Sequence, residues 1–227
     1  MKIMDKNCDF CNEFSGGQDN TFARLYRGTL DSRVLLSTPN FHVFPSIGQI
    51  VEGYLLASPI GHYRAVSDIP ASMLQEFGKL HEDIRLVVNE AYGPCISYEH
   101  GVRFANAGGC GISHAHFHTL PLIETLEPLA MLKSKFRFRR MADLAELPEL
   151  AANVASYLMY QDLQGCFYFF DTNRLPSQYM RQVLGELLGS RVWDWRTAGR
   201  EERLYATFLR LYGSLNSKWM SEDVSCF

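Results

Sequence analysis

The sequence predicts an α+β fold, in which an antiparallel β-sheet packs against one long amphipathic helix. Three observations lead to this prediction. Short alternating segments separated by turn residues indicate strands in the first half of the chain. Apolar residues from Met73 to Ala91 recur with the 3.6-residue period of a helix. His114, His116 and His118 alternate strictly, which in a half-buried strand directs all three side chains to one face.

The N-terminal half carries most of the predicted sheet. Strands are expected over residues 33–36, 41–47, 53–58, 95–98 and 102–106. A helix should begin at Asp68 and Pro70 and end at Gly93, because proline favours a first turn and Gly-Pro stops a helix. The segment Glu99-His100-Gly101 is predicted to be a bend, and the histidine strand follows it.

The C-terminal half predicts a smaller α/β extension. Strands over 157–160 and 166–170 flank the turn signal Asp162-Leu163-Gln164-Gly165 and form a hairpin. Two helices are expected over 177–188 and 199–215. Because no linker-like stretch separates the halves, we predict one domain over residues 1–125 and an extension, 126–227, packed on it.

Composition and charge exclude several classes of protein. The 227 residues are 47% hydrophobic and 21% charged, which is typical of a globular chain with a real core. The net charge of −3 gives no basic field that would favour nucleic acid as a partner. No run approaches the ~18 apolar residues of a membrane span, and residues 1–8 contain no apolar signal core. We expect a cytoplasmic protein without a membrane partner.

Six cysteines are present, and Cys8 and Cys11 form a C-x-x-C pair. A thioredoxin-like pair should follow a strand and open a helix, whereas this one lies in a polar N-terminal segment. The pair therefore favours metal binding over redox work, with a metal-free reduced pair as the alternative. A closed tetrahedral zinc site needs two more ligands.

Two roles compete for the histidine row. Two of the three histidines can bind a metal as a His-x-His pair, or one imidazole can act as a nucleophile that its neighbours orient. If His62 and one member of the row complete the cysteine site, two imidazoles stay free for chemistry. An imidazole with its ordinary pKa of ~6.5 has a lone pair available near pH 7, so it suits attack on phosphorus.

Three segments resemble one family. His114-Ala115-His116-Phe117-His118-Thr119-Leu120 resembles the His-x-His-x-His-x-x signature of the histidine triad (HIT) superfamily of nucleotide hydrolases and transferases. Cys8-Asp9-Phe10-Cys11 resembles the C-x-F-C of its zinc-binding members. Residues 53–62 resemble their Gly-His-x-Leu-x-x-Pro-x-x-His segment. The resemblance covers roughly residues 8–122 and implies a HIT-like fold for the N-terminal domain.

The resemblance also implies a role for each matched residue. A structural zinc ion would be bound by four ligands: Cys8, Cys11, His62 and His114. His116 would attack the α-phosphorus and become nucleotidylated, and His118 would contact the phosphate or the leaving oxygen. Donors around the nonbridging oxygens would come from Asn106, Cys110, Gly111 and Ser113.

The chain departs from the hydrolase pattern at three places. Family hydrolases usually carry Gly-Gln-Ser before the triad, whereas Gly109-Cys110-Gly111 is closer to the galactose-1-phosphate uridylyltransferase branch. His118 is a feature of the hydrolases, since that branch has Gln there. Ser46 stands where an acidic residue usually binds the ribose. We predict a hydrolase of a nucleoside polyphosphate or nucleotide conjugate; a nucleotidyltransferase and a non-catalytic, zinc-stabilised nucleotide-binding or RNA-associated module are the alternatives.

Residues outside the matched region suggest further contacts. Gln178 and Arg181 share a helix face and, with Arg196, are candidates to bind the leaving-group side of the substrate, or are surface polar residues. Alternating basic residues over 133–140 predict a charge-protected edge strand, with binding of a polyphosphate or RNA as the alternative.

A single HIT domain commonly works as a dimer, and this chain is nearly twice that length. The resemblance therefore implies either a homodimer or an extra half that covers the site or replaces the partner subunit. The remaining histidines, His42, His81 and His100, are expected at the surface or in the core.

Overall fold

The structure is a computed structural model that describes residues 4–26, 28–104, 111–172, 174–190, 193–197 and 201–223. The strands are β1 (Leu36–Ser37), β2 (Phe41–Pro45), β3 (Leu55–Pro59), β4 (Cys95–Val102), β5 (Phe117–Pro121), β6 (Arg137–Met141), β7 (Ser156–Gln161) and β8 (Phe167–Asp171). The α-helices are α1 (Asp9–Phe14), α2 (Thr21–Tyr26), α3 (Ala71–Tyr92), α4 (Leu129–Lys135), α5 (Leu147–Ala151), α6 (Tyr179–Leu187) and α7 (Glu201–Asp223). Within these described ranges, no helix has the length and apolar character needed to cross a bilayer.

The eight strands form one sheet in the order β1-β2-β3-β5-β4-β7-β8-β6. Every neighbouring pair is antiparallel, so the predicted α+β class with an antiparallel sheet is confirmed. Strand β7 pairs with β4 from Ser97↔Gln161 to Val102↔Ser156. The C-terminal region therefore continues the sheet that the N-terminal region begins.

Helix α3 covers one face of this sheet, as the 3.6-residue period predicts. Its buried positions include Leu74, Phe77, Leu80, Ile84 and Val88. The ring of Phe77 lies 5.3 Å from that of Phe117 in β5. The helix ends where Gly93 adopts a positive φ of 95°, a conformation that a residue without Cβ accepts readily. The opposite face is covered by α1 and α6, and the candidate site lies there.

The predicted bend at Glu99-His100-Gly101 is wrong, because β4 runs unbroken from Cys95 to Val102. The reason is the pairing partner: His100 and Gly101 face Leu158 and Tyr157 of β7 in a regular ladder. A glycine that suggests a turn from local sequence is here held in a strand by a segment far along the chain. The expected strand over 102–106 lies partly outside the described residues.

The histidine segment is only partly a strand. Strand β5 begins at Phe117, so His118 is the one histidine of the row within it. Before it, the amide of Ala115 donates to the carbonyl of Tyr63 at 2.6 Å and does not join the ladder with β3. Because of this contact, the segment before Phe117 leaves the regular strand geometry. The side chain of His114 therefore points to Cys8 and Cys11, away from those of His116 and His118.

The C-terminal hairpin and helices follow the prediction, with shifted ends. Strands β7 and β8 pair around residues 162–165, and α6 and α7 lie where helices were expected. The basic stretch 133–140 begins in α4, and only its second part forms β6. Strand β6 is an edge strand of the sheet, and four of its five residues are exposed. The short helices α1 and α2 were not predicted.

Candidate functional site

Four metal-binding side chains meet beside the start of β5. Cys8 precedes α1 and Cys11 lies in it, while His62 follows β3 and His114 precedes β5. Their ligand atoms all lie within 4.8 Å of one another. The Nδ1 atom of His114 is 3.3 Å from Sγ of Cys8 and 3.5 Å from Sγ of Cys11, and Nδ1 of His62 is 3.4 Å from the latter. The four residues predicted as ligands thus form one cluster.

The cluster has the dimensions of a tetrahedral zinc site. Zn–S and Zn–N bonds of ~2.3 and ~2.0 Å place neighbouring sulfur and nitrogen atoms about 3.5 Å apart, which the S–N distances match. The Nε2 atom of His114 lies 2.9 Å from the carbonyl oxygen of Pro59. A proton on Nε2 donates to that oxygen and leaves Nδ1 as the ligand atom. The donor set and the tautomer are therefore compatible with zinc.

The Cys8 thiol needs a nearby cation if it is to ionise. Burial is the main cause that raises the pKa of Cys8 to about 12, because a buried thiolate would lose its hydration. Without a metal, Cys8 stays a neutral thiol at physiological pH. Metal binding would release its proton, so metal affinity at this cluster should rise with pH.

His116 lies next to the cluster and has its tautomer fixed. Its Nδ1 donates to the backbone carbonyl of His114 at 2.6 Å, so Nε2 carries the lone pair. Phe10 packs edge-on against the ring at 5.5 Å. Burial lowers the pKa of His116, and the charges of Arg33 and Arg181 act in the same direction. The ring is therefore a neutral imidazole with an available Nε2.

His118 is oriented by two tyrosines. Its Nδ1 lies 2.8 Å from the hydroxyl of Tyr54, which also contacts the hydroxyl of Tyr98. The ring stacks on Tyr98 with centroids 4.3 Å apart and lies 4.8 Å from the ring of His116. Burial lowers the pKa of His118 well below its usual value. The two imidazoles therefore stand side by side, as their alternation predicts, while His114 joins the metal cluster.

Two small cavities open on this imidazole pair. Both are lined by His116, His118, Arg181 and Trp195. The first also takes in apolar and polar residues of the N-terminal region: Phe10, Arg33, Ser46, Ile47, Leu56 and Ile112. The second lies towards α6 and is completed by Tyr98, His100, Gly111, Gln178, Tyr179 and Met180. A group bound to His116 would therefore border both cavities.

The predicted substrate-binding residues occupy different positions. Gly111 lines the second cavity, and its carbonyl accepts a hydrogen bond of 2.8 Å from Arg196. Ser113 is exposed. Asn106 and Cys110 lie outside the described residues. Arg181 lines both cavities, so the C-terminal region does reach the histidines.

Gln178 lines the second cavity but uses its amide within the protein. Its Nε2 donates to Asp194 at 2.7 Å, and its Oε1 accepts from the backbone amide of Trp195 at 3.1 Å. Gln178 also has a φ of 59°, which is uncommon for a residue with a side chain. In this conformation Gln178 positions Trp195 over Gly111, where a Cβ would come within 2.8 Å of the indole nitrogen.

Several residues of the site were missed at the sequence level. Tyr54 and Tyr98 orient His118, Trp195 forms a wall of both cavities, and His100 was expected at the surface or in the core. Arg33 lines the first cavity and carries a bidentate ion pair with Glu13, both contacts 2.7 Å. The strand alternation Tyr98–His100 on the face of His118 was the one signal that could have identified His100.

The described residues thus combine an antiparallel α+β sheet with an imidazole pair beside a cluster of two cysteines and two histidines. No family model matches the sequence, and neither does any curated protein.

Solved structures do show similarity. A HIT-like protein from Bartonella henselae is 24% identical, with a TM-score of 0.38 over 48% of this chain and 81% of its own. A HIT family hydrolase from Clostridium thermocellum is 21% identical, with a TM-score of 0.37 over 53% and 95%. A zinc-bound histidine triad family protein from Mycobacterium smegmatis is 20% identical, with a TM-score of 0.34 over 59% and 90%. All three are proteins of the family that the sequence segments resemble.

Proposed function

We propose that this protein is a zinc-stabilised, cytoplasmic HIT-type hydrolase that cleaves a nucleoside polyphosphate or nucleotide conjugate at the α-phosphorus through a nucleotidyl-His116 intermediate. The observation that supports this proposal is the hydrogen bond from Nδ1 of His116 to the carbonyl of His114. It leaves a neutral Nε2 as the nucleophile in a wall shared by two cavities. The nucleoside would occupy the first cavity, whose lining includes the apolar side chains of Phe10, Leu56 and Ile112.

The reaction has two displacement steps. The lone pair of His116 Nε2 attacks the α-phosphorus, the P–N bond forms, and the bond to the leaving atom breaks with its electron pair on that atom. A water oxygen then attacks the same phosphorus, the P–N electrons return to Nε2, and the water proton passes to solvent. The products are a nucleoside monophosphate and the leaving group, and His116 ends unchanged.

The remaining residues would support these steps. Cys8, Cys11, His62 and His114 would hold a zinc ion, which would cross-link α1 to the segment before β5 and supply structural stability. His118 and Ser113 would contact the phosphate or the leaving oxygen, and Gly111 would allow its close approach. Asn106 and Cys110 are proposed as further phosphate contacts on the resemblance alone.

The direct test is to trap the intermediate. Wild-type protein and His116→Asn are incubated with α-³²P-labelled nucleoside polyphosphates, and acid-labile, alkali-stable label is measured on the protein. His42→Asn is the matched control, since His42 is outside both cavities. We expect label on the wild type and on His42→Asn, and none on His116→Asn. Full turnover by His116→Asn would contradict the mechanism.

The same labelled protein separates the alternative functions. Chase with water alone should release nucleoside monophosphate if the protein is a hydrolase. Release that requires a phosphorylated acceptor would identify a nucleotidyltransferase instead, and tight nucleotide binding without label would identify a binding module. The division at residue 125 and the homodimer stay predictions, which limited proteolysis and sedimentation would test.

A further inference from the structure

We infer that the leaving group of the substrate is anionic: a phosphate-bearing group bound in the second cavity by Arg181 and His100, and not an amine. This inference rests on the proposed function, because it concerns the group that His116 displaces. It assigns a substrate class, the phosphoanhydrides, and it adds His100 to the candidate substrate contacts.

The first observation is that Arg181 is a buried cation without an ion-pair partner among the described residues. Its side chain is buried, with 3% of the residue exposed. Nε donates to the carbonyl of Trp193 at 2.7 Å, and the two terminal nitrogens donate to the hydroxyl of Ser46 at 3.3 Å and to the carbonyl of Gly48. None of these partners is a carboxylate, and among the described residues no acid lies within ion-pair distance of Arg181. A buried cation without a counterion is costly, and a bound anion would remove that cost.

Arg33 provides the internal comparison. It is buried beside the same imidazole pair, but Glu13 neutralises it through two contacts of 2.7 Å. The two cavities therefore contain one guanidinium that is paired with a carboxylate and one, that of Arg181, whose hydrogen-bond partners are all uncharged. The planar guanidinium of Arg181 suits a phosphate because it can donate two parallel hydrogen bonds.

The second observation is the lining of both cavities, in which no described residue is a carboxylate. Asp194, the nearby acid, is engaged by Gln178 and by the backbone amide of Arg196 at 3.0 Å. A cationic amine would therefore meet Arg181 in a cavity whose lining offers no carboxylate, while Asp194, which interacts with Arg181 from outside ion-pair distance, is already held by Gln178. A phosphate would meet a favourable field.

The third observation is His100. It lines the second cavity with 9% of its surface exposed, and its buried Nε2 has no hydrogen-bond partner among the described residues. A buried polar nitrogen without a partner is rare in proteins and costs free energy. A phosphate oxygen in the second cavity would supply the partner that the protein does not.

The chemistry of departure agrees with this assignment. When a phosphate monoester leaves, the P–O electron pair stays on its oxygen, and no proton is needed near neutral pH because the second pKa of such a monoester is about 6. An amine must take up a proton as the P–N bond breaks, and no described residue that lines either cavity is a carboxylic acid that could donate one. The site is thus better built to release a phosphate than an amine.

The test compares two substrates that give the same nucleotide product. The β-methyl ester of ADP releases methyl phosphate, and adenosine 5′-phosphoramidate releases ammonia; kcat/KM is measured for each on the full-length protein. We expect the wild type to prefer the diphosphate by at least ~10-fold. Arg181→Gln should lose roughly 10- to 100-fold on the diphosphate, the size expected for a lost charge-assisted hydrogen bond, and less than ~3-fold on the phosphoramidate. His100→Ala should shift the preference in the same direction, and Arg181→Lys should restore part of it.

Arg203→Gln is the matched control. Arg203 donates to the carbonyls of Gln49 and Ile50, next to the carbonyl that Arg181 contacts, but it lines neither cavity. Equal losses in Arg203→Gln and Arg181→Gln would mean that loop displacement causes the effect and would overturn the inference. The inference would also be overturned if the wild type preferred the phosphoramidate, or if Arg181→Gln lost both activities equally. In either case, trapped nucleotidyl-His116 would still support the proposed function. If no substrate is cleaved and no label forms, the proposed function itself is wrong.

Discussion

The Nδ1 atom of His116 donates a 2.6 Å hydrogen bond to the backbone carbonyl of His114, whose own side chain lies in the metal-binding cluster. One residue thus closes the cluster with its ring and fixes the tautomer of the candidate nucleophile with its backbone. A displacement of His114 in the cluster should therefore move its backbone carbonyl and change the orientation of the His116 ring. Metal content and activity can be measured independently, and we expect a variant that loses the metal to lose activity as well.

Cys11→Ser should remove zinc and lower stability. Structural zinc sites in small peptides supply ~10–16 kcal/mol at neutral pH, so even a partial loss should lower Tm by more than ~10 °C. Zinc per chain is measured by mass spectrometry and Tm by circular dichroism. Cys95→Ser is the control, because Cys95 is buried in β4 away from the cluster. Full zinc occupancy in Cys11→Ser would show that the cluster does not bind the metal.

Tyr54→Phe should slow turnover without abolishing binding. The substitution removes the 2.8 Å partner of His118 Nδ1 and leaves a buried ring nitrogen unpaired, which costs ~1–3 kcal/mol. We expect kcat to fall about 10-fold and KM to change little. Tyr160→Phe is the control, since Tyr160 is buried on the same side of the sheet and bonds Glu127 at 3.3 Å. Equal kcat values for Tyr54→Phe and the wild type would contradict the positioning role.

Glu99→Gln should flatten the pH dependence of the protein's stability between about pH 4.5 and pH 8. Burial raises the pKa of Glu99 to about 8, although its carboxylate accepts bonds of 2.6 Å from Val66 and from Tyr157. Because the folded pKa lies above the unfolded value, the stabilising contribution is complete below about pH 4.5 and is lost as the pH rises through 8. Each pKa unit is ~1.4 kcal/mol, or roughly 3–5 °C in Tm for a chain of this size.

Thermal melts between pH 5 and 9 check this prediction. The wild type should lose stability towards pH 9 more steeply than Glu99→Gln. Glu82→Gln, which changes an exposed residue of α3, should keep the wild-type profile. Parallel curves for the wild type and Glu99→Gln would show that Glu99 is ionised in the folded protein.

Gly101→Ala should be among the most damaging small substitutions. A Cβ at this position would lie 2.1 Å from Cζ of Tyr157, its paired residue in β7. Overpacking of this kind costs ~1–3 kcal/mol or more, which urea unfolding would measure. Gly78→Ala is the matched control, since nothing lies within 4 Å of a Cβ there and α3 should gain up to ~1 kcal/mol. A neutral Gly101→Ala would show that β4 and β7 separate easily.

Local sequence predicted the parts of the fold that depend on local physics. The period from Met73 to Ala91 fixes α3, because one face of a helix must be apolar to pack on a sheet. Turn residues locate β2 and the β7–β8 hairpin to within two or three residues. The cluster of two cysteines and two histidines was predictable because the residue types and their order along the chain resemble a known zinc-binding pattern.

Long-range contacts were not predictable in the same way. Nothing within Glu99-His100-Gly101 shows that β7 will pair with it, so a glycine after two polar residues predicts a bend. The burial of Arg181 depends on carbonyls at residues 48 and 193, which approach it only in the folded chain. His100 was assigned no function for the same reason, since its partnerless nitrogen is a property of the packed interior.

The pairing of β7 with β4 has a consequence for any shortened form of the protein. A polypeptide that stopped near residue 125 would expose residues 97–102 of β4 as an open edge in the middle of what is now a continuous sheet. Unpaired backbone amides on a long, apolar edge recruit strands from other molecules. Such a fragment should self-associate or aggregate at concentrations where the full chain does not, and a soluble short form would need charged residues or a proline placed along β4.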